Sequence, residues 1–266
     1  MAGRSLAKKR NVSKGMVSLQ KGLDILSCFD YNHQALSVVE ISERVNIPQS
    51  TTYRYVTILV DKGFLTKDFD SNKYTAGHKV FQIGSTGSPK YELVDLAKPH
   101  LKSLASLSGE TVTLSVLKVW KAMFIDVTES RQTVRVTPAL GSSFPLHAGA
   151  SSKTLLAYQA DAFVDALIKE AGLSKLTRNT MTDPGQLKAA LKQIREEGFA
   201  FGDSEVETLA CAVAAPIFDR TKGVVASVAL LAPKARMGGR NISRFIDMVK
   251  KTAADISLDL GYERGE

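Results

Sequence analysis

Pro48-Gln49-Ser50-Thr51-Thr52-Tyr53-Arg54-Tyr55 is the stretch on which the fold turns. Proline suits the first turn of a helix, where its missing N–H would have no partner anyway. The helix predicted from it spans residues 49–62, with Val56, Leu59 and Val60 on its apolar side and Gly63 closing it. Upstream, Ser37 and Glu40 make the Ser-x-x-Glu pattern in which each residue satisfies the other's backbone N–H. That predicts a helix over 38–45, with Val38, Ile41 and Val45 on one face. Asn46 ends it, because Asn tolerates the left-handed backbone common after a helix end. A further helix over 17–30 is predicted from Val17, Leu19, Leu23, Ile25, Leu26 and Phe29. Two short helices joined by a tight turn, the second rich in hydroxyls and amides, make a helix-turn-helix.

Downstream, residues 64–68 and 73–76 read as short strands joined by Phe69-Asp70-Ser71-Asn72, whose Asp, Ser and Asn are turn formers. A hairpin in this position is a wing. The chemistry of the whole unit suits a nucleic acid. Hydroxyls and free helix-terminal amides can donate to phosphates. Gln49 could read an adenine edge, and Arg54 a guanine or a phosphate. The candidate contacts are Ser37, Gln49, Ser50, Thr51, Thr52, Tyr53 and Arg54, with Lys67 and Lys73 from the wing.

Charge agrees with that reading. The 266 residues carry a net charge of +8. Residues 1–90 hold 13 Lys/Arg against 7 Asp/Glu, and the remaining two thirds is close to neutral. An N-terminal third with most of the excess points to a polyanion partner. Part of that excess is the run Lys8-Lys9-Arg10, in a basic arm over residues 1–16.

Other classes are disfavoured. No apolar run approaches the roughly 18 residues that a membrane-spanning helix needs. The N-terminus has basic residues without a following apolar core, so no secretory signal is expected. Two cysteines, Cys28 and Cys211, cannot build a disulfide framework or a zinc site. A reduced, cytoplasmic protein with no metal or cofactor is expected. Enzyme signatures fail one by one. A phosphate loop would need Gly at the positions of His147 and Ser152, and the Ser-x-x-Lys pattern would need Ser at Ala150. The histidines show no metal spacing, and Asp203, Glu205 and Glu207 read as solvated acids at a strand end. No catalytic residue is expected.

After a linking helix over 78–83, Gly84-Ser85-Thr86-Gly87-Ser88-Pro89 is a flexible stretch and the natural domain boundary. The division expected is an arm over 1–16, a winged helix-turn-helix over 17–77, a linker and hinge over 78–91, and a second domain over 92–266. That second domain alternates element types. Strands are predicted over 110–119, 122–127, 133–137, 200–204, 209–218 and 224–231, and helices over 92–107, 152–158, 162–171, 186–197 and 242–260. In the run 209–218, alternation places Cys211, Val213 and Ala215 on one face and Ala210, Ala212 and Ala214 on the other. Small side chains there leave room for a ligand, or else pack tightly against helices.

The motifs carry a family resemblance. Residues 18–26 (Ser-Leu-Gln-Lys-Gly-Leu-Asp-Ile-Leu), 47–54, Gly63-Phe64-Leu65 and Tyr74-Thr75-Ala76-Gly77 resemble the isocitrate-lyase-regulator (IclR) family of bacterial transcriptional regulators. Pro145-Leu146-His147-Ala148 with Lys153, and Gly198-Phe199 through Glu205 to Ala214-Ala215-Pro216-Ile217-Phe218-Asp219, continue it over roughly residues 17–260. One departure is Ser152, where the family has Gly before the Lys, which predicts a less permissive loop. The resemblance implies an α+β chain: an N-terminal winged helix-turn-helix plus a C-terminal GAF-like mixed α/β effector-binding domain. It implies a homodimer, often a homotetramer, on a pseudo-palindromic double-stranded operator. It also implies an effector between the sheet and the loop before the Lys153 helix, which here carries over to Val136, Ala150, Ser151, Asp203, Ala210, Ala212, Ala229 and Leu231. Backbone amides at that helix start suit a carboxylate, so a small organic acid with an apolar or aromatic body is expected. Two rival readings are a sensor module that acts through protein contacts alone, and a small-molecule enzyme with a vestigial helix-turn-helix.

Overall fold

The computed structural model describes residues 14–30, 33–68, 70–85 and 89–263. The Lys8-Lys9-Arg10 run, Phe69 of the wing turn and residues 86–88 of the expected hinge lie outside them. The chain divides into two compact units, Met1–Ser88 and Pro89–Glu266.

The first unit holds α1 (Lys14–Leu26), α2 (Val38–Val45), α3 (Gln49–Asp61), the strands β1 (Leu65–Lys67) and β2 (Tyr74–Ala76), and α4 (His78–Ser85). α2 is bounded as its sequence demands. The Ser37 hydroxyl accepts from the Glu40 amide, while the Ser37 amide donates to the Glu40 carboxylate at 2.7 Å. Asn46 closes the helix at φ 50°. The Ser37 amide is the main cause of the lowered pKa of Glu40. Ile25, Leu36, Ile41, Val56, Leu65 and Tyr74 form one small core that α1, α2, α3, β1 and β2 share. β1 and β2 pair antiparallel, Leu65 opposite Ala76, and Leu36 bridges to Tyr74 as a short third edge. Gly77 permits the close return of the hairpin: a Cβ there would stand 2.2 Å from the Gly63 carbonyl oxygen.

The second unit begins with α5 (Pro89–Ser108), followed by β3 (Thr111–Lys118), β4 (Lys121–Thr128) and β5 (Ser143–Pro145). Next come α6 (Ala150–Ala157), α7 (Asp161–Glu170), α8 (Pro184–Glu197), β6 (Ala200–Asp203), β7 (Ala210–Phe218) and β8 (Val224–Pro233). A 3-10 turn, Lys234–Arg236, and α9 (Arg240–Asp259) complete it. The strands form one antiparallel sheet in the order β5-β4-β3-β8-β7-β6.

Strand alternation separates two cores. Cys211, Val213, Ala215 and Ile217 of β7 and Val228 and Leu230 of β8 join Leu93, Ala97 and Leu101 of α5 and Val249 and Ile256 of α9. Ala214 and Ala229, opposite one another in the β7–β8 ladder, face the other way and join Leu155, Leu156, Val164, Leu187 and Leu191 of α6, α7 and α8. All eight residues of α6 are buried.

One expected strand is absent. Residues 133–137 form no strand: their sequence alternates, but none of the sheet's strands pairs with them, and beside β4 the paired neighbour is the short β5, on Lys121–Met123. No helix among the described residues is long and apolar enough to cross a membrane.

Candidate functional site

The structure offers two faces for chemistry, one in each unit. On α3, Gln49, Ser50, Tyr53, Arg54 and Thr57 are exposed, and their spacing places them along one side of the helix. Pro48 supplies no side-chain cap, and the Gln49 and Ser50 amides have no hydrogen-bond partner among the described residues. α2 closes its first turn with its own capping box, whereas α3 presents open donors and the positive end of its dipole. Arg54 makes no ion pair among the described residues.

The wing beside α3 is folded around one carboxylate. Asp68 accepts from the Asp70 amide at 2.9 Å and from the Ser71 hydroxyl at 2.8 Å, while Asn72 adopts φ 53°. These bonds, the Ser71 hydroxyl first, hold the Asp68 carboxyl below its ordinary pKa. Lys73 is 3.6 Å from Glu40, tying the wing to α2.

In the second unit a cavity of about 640 Å³, including its open mouth, lies at the start of α6. Phe124 and Phe144 form one wall, and Ala210, Ala212 and Leu231 another. Val136 and Pro138 of the 129–142 loop and Val206 and Glu207 of the β6–β7 turn complete the lining. The polar end is the first turn of α6. Ala150, Ser151 and Ser152 line the cavity and are buried, and their amides have no hydrogen-bond partner among the described residues. The Ser151 and Ser152 hydroxyls likewise have none. The preceding amide, that of Gly149, donates to Glu205 at 3.0 Å. Glu205 also takes the Lys153 ammonium, so a buried pair neutralises itself beside the open amides. Gly202 brings β6 against this turn: a Cβ there would stand 2.9 Å from the Ala150 nitrogen.

Residues 88–258 match the bacterial transcriptional regulator IclR C-terminal family, and residues 18–68 match the IclR helix-turn-helix domain. The chain belongs to the IclR family. It is 32% identical over 251 residues to the HTH-type transcriptional repressor AllR of Escherichia coli, covering 94% of this chain and 92% of that one. A crystal structure of the Thermotoga maritima IclR superimposes with a TM-score of 0.76 at 32% identity, covering 93% of this chain and all of that one. An IclR homologue from Microbacterium hydrocarbonoxydans, complexed with 4-hydroxybenzoate, shares the fold with a TM-score of 0.83 at 23% identity, covering 92% of this chain and 99% of that one. As an IclR-family chain with an α+β fold and a helix-turn-helix, the protein is a DNA-binding transcriptional regulator.

The residues expected to act fall into distinct groups. Gln49, Ser50, Tyr53 and Arg54 are exposed and Thr51 is half-buried, while Ser37 is occupied as the α2 cap. Thr52 is a correction. It is fully buried, and its hydroxyl is 3.2 Å from both the Ile47 and Pro48 carbonyl oxygens, so it anchors α3 from the inner side and is not part of the exposed row. Lys67 and Lys73 are both half-buried on the wing.

Of the eight residues carried over for the effector, Val136, Ala150, Ser151, Ala210, Ala212 and Leu231 line the cavity. Asp203 and Ala229 do not. Asp203 turns to Lys234 at 2.6 Å, the chief cause of its lowered pKa, and also accepts from Ser204 and the Cys211 thiol. Ala229 is fully buried in the packing between the sheet and the α6–α8 layer. Sequence reasoning misses Glu205, because its partner Lys153 lies 52 positions away, beyond the reach of local pattern. The Ser152 departure strains nothing, since Ser152 sits inside α6 and the positive φ of 83° falls on Gly149. His147 is buried and donates from Nε2 to the Ser174 carbonyl at 2.9 Å, a structural bond. No group of three or more His, Cys, Asp or Glu residues among the described residues is placed to hold a metal.

Proposed function

We propose that the protein is a homodimeric, effector-gated regulator that lays α3 in the major groove of a pseudo-palindromic operator. A small organic monoacid with an apolar or aromatic body shifts the population between DNA-competent and incompetent arrangements. The exposed row Gln49, Ser50, Tyr53 and Arg54 supplies base and phosphate contacts, and the open amides of α3 add a phosphate seat. Pairing of two such units is supported by apolar side chains that α1 and α4 leave in water: Leu19 and Leu23 on the first, and Phe81, at 77% exposure, on the second. Half-sites then fall a helical turn, or a multiple of one, apart. Pairing of dimers into tetramers through the second unit, and a cytoplasmic location, follow the family pattern.

The single observation that carries the effector half is the set of three unpartnered amides at the buried start of α6, on the lining of a mostly apolar cavity. Buried N–H groups without partners are rare in proteins. A carboxylate satisfies several at once and is favoured by the helix dipole. Phe124, Phe144, Val136 and Leu231 then accept a flat apolar body, and Lys153, already neutralised by Glu205, is no spare cation for a second carboxylate. The 4-hydroxybenzoate bound by the Microbacterium homologue is an acid of this kind. A ligand can drive the switch only by binding the two arrangements differently. A thermal-shift screen of acids, followed by gel shift on the chain's own upstream DNA, tests the reading. Stabilisation by aromatic monoacids together with altered operator binding is expected; a response confined to compact polar acids would overturn the ligand class.

A further inference from the structure

The mouth of the cavity has two lips from distant parts of the sequence. One is the 129–142 loop, which contributes Val136 and Pro138, and the other is the β6–β7 turn at residues 204–209, which contributes Val206 and Glu207. Both are held by the same three-residue turn. Arg236 donates from Nε and Nη2 to the buried Glu110 carboxylate, at 2.5 and 2.8 Å, and from Nη2 to the Val134 carbonyl at 2.9 Å. The 129–142 loop is therefore pinned two residues before Val136. Lys234, two residues earlier in the chain than Arg236, donates from its amide to the Leu209 carbonyl at 2.8 Å and from its ammonium to Asp203 at 2.6 Å. It thus grips both ends of the β6–β7 turn. The 129–142 loop is otherwise tied at its two ends, by Ser130 to Thr111 and Gly109 and by Gly141 and Ser142 to Phe124, and its middle, where Val134 is 67% exposed, is reached from outside the loop by the Arg236 bond.

We propose that the turn Lys234–Arg236 is a clasp across the cavity mouth, and that a ligand enters or leaves when this one turn lets go of both lips together. The inference rests on the cavity reading above for its purpose, but its geometry stands without a ligand. The turn follows directly on β8, whose Leu231 lines the cavity, so a ligand pressing on that strand acts on the clasp a few residues further on. Arg236 is suited to the task because its planar guanidinium holds both carboxylate oxygens and a carbonyl in one fixed geometry, whereas an ammonium is a single point of charge on a flexible stem.

Hydrogen exchange of the full chain without ligand tests the clasp, because local opening sets the exchange of protected amides. Ser130 and Gly141, whose amides donate to Thr111 Oγ1 and to the Phe124 carbonyl, report on the first lip. Ser204 and Ala210, whose amides donate to the Ala210 and Glu207 carbonyls, report on the second. Arg236→Lys keeps a positive charge for Glu110 and gives up the rigid fork that holds Glu110 and Val134 in one geometry. It should speed exchange at both lips at least tenfold and leave Leu191 in α8 unchanged. Faster exchange at the first lip alone, or at neither, overturns the proposal. Should Leu191 also speed up, Lys234→Gln decides instead, since it removes only the exposed pair with Asp203. Faster exchange at Ser130 and Gly141 then supports the clasp, and unchanged exchange there overturns it. Failure of every acid to bind would refute the effector reading and leave these exchange rates as they are.

Discussion

The Lys153 ammonium stands 2.5 Å from the Glu205 carboxylate, with both side chains about nine-tenths buried. Glu205 uses its second oxygen to hold the Gly149 amide, so one ion pair fixes the start of α6 and the wall of the cavity together. Breaking a buried pair from one side leaves an uncompensated charge in a poorly solvated place. Lys153→Met and Glu205→Gln should each lower unfolding stability by about 3–5 kcal/mol. The double variant should lose clearly less than the sum of the two. Urea denaturation of the four proteins of the cycle checks this; strict additivity would mean that the two groups do not depend on one another.

Arg54 and Thr52 are two positions apart on α3 and should behave oppositely. Arg54→Ala should weaken operator binding about 5- to 150-fold, in line with about 1–3 kcal/mol for a specific base contact, with unchanged stability. Thr52→Val removes the hydroxyl that reaches the Ile47 and Pro48 carbonyls. It should cost about 1 kcal/mol of stability while the folded protein keeps its operator affinity. Fluorescence anisotropy on labelled operator DNA, paired with thermal melts, separates the two effects.

Gly202 is a steric gate between β6 and α6. Gly202→Ala places a methyl 2.9 Å from the Ala150 nitrogen, inside normal contact distance, so the strand and the helix must part. A loss of about 1–3 kcal/mol is expected from such crowding. Acid-induced thermal stabilisation should fall more steeply than stability itself, because the displaced group is the one that faces the ligand. A variant that melts lower yet keeps the full ligand shift would contradict the placement of the carboxylate at these amides.

Alkaline pH gives a test of the Cys211 environment. Burial, more than the neighbouring Asp203 carboxylate, pushes the thiol from 9.0 up to about 11. The folded protein therefore keeps this proton over a range in which the unfolded chain has lost it. That contribution is complete below about pH 9 and is lost as pH rises through about 11. At about 1.4 kcal/mol per pH unit, the loss reaches on the order of 2–3 kcal/mol. Cys211→Ala should flatten the fall in melting temperature between about pH 9 and about pH 11, all other titrations being shared with the parent. Parallel curves for the two proteins would place the thiol in a far wetter setting.

Local chemistry is readable wherever neighbours in sequence are neighbours in space. The Ser37–Glu40 box, the left-handed Asn46 and the opposed faces of β7 all follow from short-range rules. Residues 133–137 show where such rules stop. Thr, Val, Arg, Val and Thr alternate like a strand, but alternation does not supply a partner, and none of the sheet's strands pairs with them. Glu205 is hidden for the converse reason. Set between Asp203 and Glu207 it reads as one of three solvated acids, and only the fold brings Lys153 to it. Thr52 stands in a row of look-alike hydroxyls, and burial of one face of α3 alone distinguishes it.

The way α3 is seated has a consequence for how such regulators diversify. The helix is fastened from its inner side, by Thr52 to two main-chain carbonyls and by Val56 to the small core, and no side chain of its outer row takes part in that fastening. Gln49, Ser50, Tyr53 and Arg54 are thus free to vary as a cassette. A duplicated copy could drift to a new operator one substitution at a time without passing through an unfolded intermediate, and an engineer could graft a foreign reading row onto the same scaffold.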